Sequence, residues 1–182
     1  MSGFRVIPGT LVIGLGHKAR HGKDSAARLL MERFPSVVQR FSFADDLYAI
    51  CRVLYGMTEK NAPLLQRVGV EFREKDENTW VRSVHTKIEQ ARPRVAVITD
   101  VRFPNEFDFV KRLGGECWKV SRVLADGSPY VDSSRPATHV SEIALDGAAW
   151  DRVLENPDGQ PEIFADRVLC AYAALALTTE AA

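Results

Sequence analysis

The chain has 182 residues, 24 Lys plus Arg against 24 Asp plus Glu, and 46% hydrophobic side chains, a balance that excludes a disordered chain and fits one globular domain. Zero net charge excludes a sequence-independent nucleic-acid coat, which needs an excess of Lys and Arg to neutralise phosphates. Cys51, Cys117 and Cys170 stand far apart in no metal-ligand spacing, as buried thiols of a reducing cytosol would.

Strand and helix signals alternate along the chain. An apolar run at 10–15 (TLVIGL) predicts a buried strand that enters a Gly-containing loop. Ala26, Ala27, Leu29, Leu30 and Phe34 then form the apolar face of a helix that Pro35 stops. A strand is expected at 37–43 (VVQRFSF) and a helix at 44–55 ended by Gly56. Helical spacing recurs at 63–74 and at 79–91, the second with Thr79 as its cap. The clearest central strand is 94–99 (RVAVIT), followed by a short helix at 105–113 closed by Gly114 and Gly115 and a strand at 116–120. Polar, Pro-containing residues at 123–138 predict a long loop, a length that in a domain usually marks a lid or binding segment. A last strand at 150–154, a turn at 156–159 and a terminal helix opened by Pro161 complete the pattern. Strands separated by helices imply right-handed crossovers and a parallel sheet covered on both faces. The longest apolar run, 168–177, is about half the roughly 20 residues of a membrane-spanning helix. There is no charged leader, repeat or long linker, so the expectation is one domain over 1–182 in the cytoplasm, without a membrane partner.

Residues 14–25 read GLGHKARHGKDS, a variant of the Walker A phosphate loop between strand and helix. In such a loop successive amides and the positive end of the helix dipole surround a polyphosphate, and Lys23 reaches its terminal oxygens. His17 stands where the first glycine of the pattern belongs, and Asp24 takes the usual hydroxyl position, which moves the hydroxyl to Ser25. Lys18, Ala19, Arg20, Gly22, Lys23, Asp24 and Ser25 are thus the candidate phosphate-binding residues. Asp24 and Ser25 offer the hard oxygen that Mg²⁺ requires. The alternative is a plain Gly turn capped by Asp24. The strand at 94–99 delivers Asp100 to its carboxyl end, where open α/β sheets bind ligands, so Asp100 can orient water on Mg²⁺ and Arg102 can clamp an anion. Alternatively Asp100 caps the next helix with Arg102 as a surface partner.

The loop ending GKDS, DVRFPNE at 100–106, LLQRVGVEFRE at 64–74, FSFADDLY at 41–48, the Trp80 segment and HVSE at 139–142, in this order, resemble the bacteriophage deoxynucleoside monophosphate kinases, a branch of the adenylate-kinase-like P-loop fold. The resemblance implies a three-layer α/β/α P-loop architecture with a mainly parallel sheet, an acceptor-binding segment at about 44–92 and a lid at about 123–140. It implies phosphoryl transfer from ATP to a dNMP, giving dNDP and ADP, with Mg²⁺. Lys23, Asp100, Arg102 and Arg122 become the catalytic candidates, with Asp24, Ser25 and Asp100 at the metal. Asp45, Gln66, Arg73, Trp80, Arg102 and Glu142 become the substrate-binding candidates. Trp80 and His85 also read as plain structural residues, Gln66 as a solvated helix residue, and Arg122 and Arg135 as surface arginines. The partners expected are small-molecule nucleotides without nucleic acid, a homodimer is compatible, and a phage-encoded chain would work in the host cytoplasm. A different small-molecule P-loop kinase, such as a phosphomevalonate kinase, or a nucleotide-binding regulator without catalysis, are the alternatives.

Overall fold

A computed structural model describes residues 4–133 and 139–180. The order is β1 (Leu11–Gly16), α1 (Lys23–Arg33), β2 (Val38–Phe41), α2 (Ala44–Tyr55), α3 (Ala62–Lys75), α4 (Thr79–Ala91), β3 (Val95–Val101), α5 (Pro104–Arg112), β4 (Glu116–Val123), α6 (Val140–Ile143), β5 (Arg152–Pro157) and α7 (Pro161–Glu180). The five strands form one sheet in the order β2-β3-β1-β4-β5, and every neighbouring pair is parallel. The predicted parallel sheet with helices on both faces is therefore present.

The period of two along each strand sends alternate side chains to opposite layers. Val12, Ala96 and Ile98 join Val81, Val84 and Ile88 of α4 and Phe109 and Val110 of α5 on one face. Ile13, Leu15, Val95 and Val97 join Ala26, Ala27 and Leu30 of α1 and Val168, Ala171 and Leu175 of α7 on the other. A third, smaller cluster of Cys51, Met57, Leu65 and Val68 holds α2 to α3.

The last strand is Arg152–Pro157 rather than 150–154, and four other boundaries differ from the sequence reading for identifiable reasons. β2 stops at Phe41 rather than at 43 because Ser42 and the Phe43 amide bond to the Asp100 carboxylate and turn the chain into α2. β3 continues through Asp100 to Val101, in register with Gly16. The N-cap of α4 is Asn78, not Thr79, and α3 is capped by Asn61, whose side chain accepts from the Leu64 amide at 3.0 Å. β4 runs on to Val123, and the chain then turns within 124–128, so that Pro129 bridges back to Val123 and the Tyr130 amide donates to the Arg122 carbonyl at 3.0 Å. The first part of the expected long loop is thus a tight return turn. Arg135 and the rest of 134–138 lie outside the described residues. Among the described residues no helix is long and apolar enough to cross a membrane.

Candidate phosphoryl-transfer site

β1 delivers the phosphate loop to the carboxyl edge of the sheet, between the ends of β3 and β4. Gly16, the last residue of the strand, has to be glycine because a Cβ there would lie 2.3 Å from Trp150 Cη2 and 2.8 Å from the Val101 carbonyl. His17 (φ 85°), Arg20 (φ 59°) and Gly22 (φ 109°) are left-handed, and alternation of right- and left-handed residues curls backbone amides into an anion-binding concavity. His17 thus adopts the handedness that a glycine would take at no steric cost. Its buried ring bonds to Asp146 Oδ1 at 3.0 Å. Burial first, and then Lys119 and Lys18, hold its pKa below the usual value against the pull of Asp146. Gly22 caps α1 without a side-chain hydrogen bond to the helix's first amides, which leaves the positive end of the dipole for an anion.

Lys23 is buried at the first turn and donates from Nζ to the His17 carbonyl at 3.3 Å and to the Lys18 carbonyl. Burial and then Arg102 lower its pKa to about 8, opposed by Asp24, Glu142 and Asp100. Asp100 Oδ1 accepts from the Phe43 amide at 2.9 Å, and Oδ2 accepts from Ser42 Oγ at 2.7 Å and the Ala44 amide at 3.0 Å. Burial raises its pKa against these bonds and Arg102. Asp100 therefore also anchors the start of α2.

A cavity of about 500 Å³ collects Arg20, Gly22, Lys23, Asp24 and Ser25 from the loop and the start of α1 with Arg40, Ser42 and Tyr48 from β2–α2, Thr99 and Asp100 from β3, and Arg102 just after it. Seven residues proposed from sequence alone, those of the loop together with Asp100 and Arg102, meet here. Lys18 and Ala19 instead line a neighbouring cavity of about 350 Å³ with His17, His21, Glu142 and Asp146.

The remaining candidates are placed differently. Arg73 lies over the Phe103 ring at 4.5 Å, with Nη2 3.5 Å from Glu106 Oε1, beside the cavity rather than on it. Asp45 pairs with the cavity residue Arg40 at 3.1 Å. Gln66 is exposed, and its amide nitrogen lies 3.4 Å from His139 Nε2. Trp80 does not reach the cavity: it is buried in the core, 5.2 Å from the Phe72 ring, because the apolar face of α4 turns into the sheet. Arg122 is likewise drawn away, ion-paired with Asp158 and lying 4.4 Å over the Tyr130 ring, since the return turn after β4 brings Tyr130 under it. Glu142 is buried between the loop and Arg102, where it lines the neighbouring cavity with Lys18 and Ala19 rather than the one that holds Lys23.

Arg40 and Glu106 were not proposed as site residues. Arg40 had no signal beyond its place in a short strand. Glu106 accepts from the Arg102 and Phe103 amides at 2.8 and 3.1 Å. Burial, then Asp100, raises its pKa to about 7. It sits three residues after the N-cap of α5, a spacing that marks a helix-start carboxylate and could have flagged it.

No protein-family model matches the chain. A protein of Acanthamoeba polyphaga mimivirus described as "Putative deoxynucleotide monophosphate kinase" is 30% identical over 197 residues, which take in 88% of this chain and 95% of that one. The chain belongs to the family of that kinase. Among solved structures it is similar to a protein of Chloroflexus aurantiacus described as "a putative kinase", at 13% identity over 92% of this chain and 96% of that one with a TM-score of 0.52, a likeness of fold. A gluconokinase from Sinorhizobium meliloti aligns over 97% and 98% of the two chains at 14% identity and a TM-score of 0.49. The sequence resemblance to a kinase family agrees with the mimivirus relative, and the α/β/α fold expected from it agrees with the Chloroflexus structure.

Proposed function

We propose that this kinase transfers the γ-phosphoryl group of ATP to a deoxynucleoside 5'-monophosphate, releasing dNDP and ADP. The observation that carries the reading is that the Lys23-bearing loop and Arg102 face one cavity from adjacent strands, β1 and β3. The mimivirus relative's name supports the acceptor class. In the reaction an oxygen of the acceptor phosphate bonds to the γ-phosphorus of ATP as the bond to the β,γ-bridging oxygen breaks, and ADP leaves. The protein's part is positioning and charge neutralisation. The loop amides and Lys23 hold the donor oxygens, and Arg102, with Arg73 beside it, holds the acceptor phosphate through the paired contacts that a guanidinium makes. Asp24, Ser25, Thr99 and Asp100 present hard oxygens to the cavity. Among the described residues no group of three His, Cys, Asp or Glu side chains could hold a metal. This donor set suits Mg²⁺, which keeps several waters and takes one or two protein oxygens together with phosphate. Bound between Asp24 or Ser25 and Asp100, Mg²⁺ would neutralise charge on the donor oxygens. Initial rates with ATP, Mg²⁺ and each of the four dNMPs and four NMPs, alongside phosphomevalonate and gluconate, test the reading. Turnover of one or more dNMPs supports it, and turnover confined to another acceptor overturns it.

A further inference from the structure

The side chain of Glu142 belongs to a four-residue helix after β4, yet it reaches both substrate-binding elements. Its Oε2 accepts from the Ala19 amide of the phosphate loop at 3.0 Å, and its Oε1 accepts from Arg102 Nη1 at 2.9 Å. Glu142 is buried, and its contacts, one buried and one partly buried, are charge-assisted, stronger than their counterparts in water and costly to leave unmade. The same segment touches the loop again through Asp146, which bonds to His17 at 3.0 Å and lies 3.7 Å from Lys18 Nζ. The loop is thus fixed from α6, and α6 is in turn fixed to Arg102.

We propose that Glu142 is a positioning residue that couples the donor and acceptor halves of the site, so that occupation of either half favours occupation of the other. The inference rests on the proposed dNMP kinase reading, which makes the loop the donor side and Arg102 the acceptor side. Its physical basis is that one rigid carboxylate spans two elements that phosphates must pull toward a common point. A phosphate on the loop orders Ala19 and, through Glu142, the Arg102 guanidinium, so the second phosphate meets an arginine whose freedom is already restricted. Glu142 also sets the separation between the loop and Arg102, and misplacement by about 1 Å can cost about a hundredfold in rate. Its negative charge further offsets the mutual repulsion of Lys23 and Arg102, which face the same cavity.

The test is calorimetric binding of a non-hydrolysable ATP analogue with and without an accepted dNMP, and the reverse titration. The wild type is expected to show about tenfold mutual tightening, equal in both directions as linkage requires. Glu142→Gln keeps the shape but loses the charge. Its coupling should fall below about twofold, and its kcat should drop by about thirtyfold. Coupling retained in a folded Glu142→Gln protein overturns the inference. If that variant does not fold, Arg102→Lys serves in its place, because a guanidinium can give Nη1 to Glu142 and its other nitrogens to a phosphate, whereas a lysine has one ammonium for both. Wild-type coupling in Arg102→Lys overturns the inference equally. Absence of coupling in a wild type that turns over dNMPs removes only the inference, whereas absence of dNMP turnover removes the proposed function as well.

Discussion

The two sides of the cavity are built in opposite ways. On the phosphate-loop side His17, Ala19, His21 and Lys23 are all buried. The loop is held at His17 by Asp146, at Ala19 by Glu142 and at the His21 carbonyl by Asn156, while the His21 ring accepts from the Arg122 amide. On the α2–α3 side a small cluster joins two helices whose outer faces leave Val53 80%, Leu54 72% and Val70 51% exposed. Polyphosphate binding needs amides fixed in advance, because reorganising them at the moment of reaction would cost rate. Under the proposed function the α2–α3 side has to admit and release the acceptor, and a helix pair with a small cluster of its own opens at lower free-energy cost than the central core. On that reading the donor half is pre-formed and the acceptor half adjustable.

The strongest way to break this comparison is to remove the charge at the centre of the fixed half. Lys23→Ala should lower kcat by about a hundredfold or more while the thermal unfolding curve stays cooperative. Near-normal turnover in a folded variant would remove the loop from the reaction.

Glu106 lies where the two halves meet, under the Arg102 amide and beside Arg73. Its pKa is raised from 4.5 to about 7, so between these values the folded protein keeps a proton that the unfolded chain has released. Stability contributed at this site is then present below about pH 4.5 and is lost as the pH rises towards 7. Urea unfolding of Glu106→Gln and wild type at pH 5 and pH 8 should show the difference moving toward the variant by about 2 kcal/mol across this range. A constant difference would show that Glu106 is ionised throughout.

Effects on the acceptor side should be smaller and unequal. Arg102→Lys, on the fixed strand end, is expected to cut kcat/KM by about thirtyfold, and Arg73→Lys, on α3, by about tenfold, mainly through KM. Wild-type kinetics in both variants would place the acceptor phosphate elsewhere. Asp24 and Ser25 are both exposed on the first turn of α1. If the carboxylate holds Mg²⁺, Asp24→Asn should raise the Mg²⁺ concentration for half-maximal rate about fivefold, more than Ser25→Ala does. The smallest effect should be structural: amide exchange in α2 and α3 should slow about twofold to threefold with dNMP, and in α1 hardly at all. Equal slowing in both regions would erase the contrast between the halves.

The fixed half was the legible one. A strand, a Gly-Lys turn and a helix follow one another between Leu11 and Arg33, so chain order alone brings Gly22, Lys23, Asp24 and Ser25 together. The carboxyl end of the next central strand adds Asp100 and Arg102, because parallel neighbours finish on the same edge. Trp80 and Arg122, candidates that the sequence reading also allowed as structural and surface residues, lie off the cavity, because orientation around a helix, or the path of a turn, decides which way a long side chain goes, and motif spacing does not carry that information. The hold that Asp146 and Glu142 exert on the loop was illegible for another reason. It joins residues 129 and 123 positions apart in the chain, and no local pattern records such a contact.

The indole of Trp150 turns the packing against Gly16 into an optical handle. Trp80 and Trp118 are locked in the apolar layers at 3% and 0% exposure, whereas Trp150 lies edge-on to the His17 ring at 6.1 Å. Any ligand that shifts the loop backbone changes the surroundings of this one fluorophore, and Trp150→Phe would silence the signal. The emission spectrum can therefore follow the arrival of a nucleotide on the loop in the millisecond range, with no label attached to the protein.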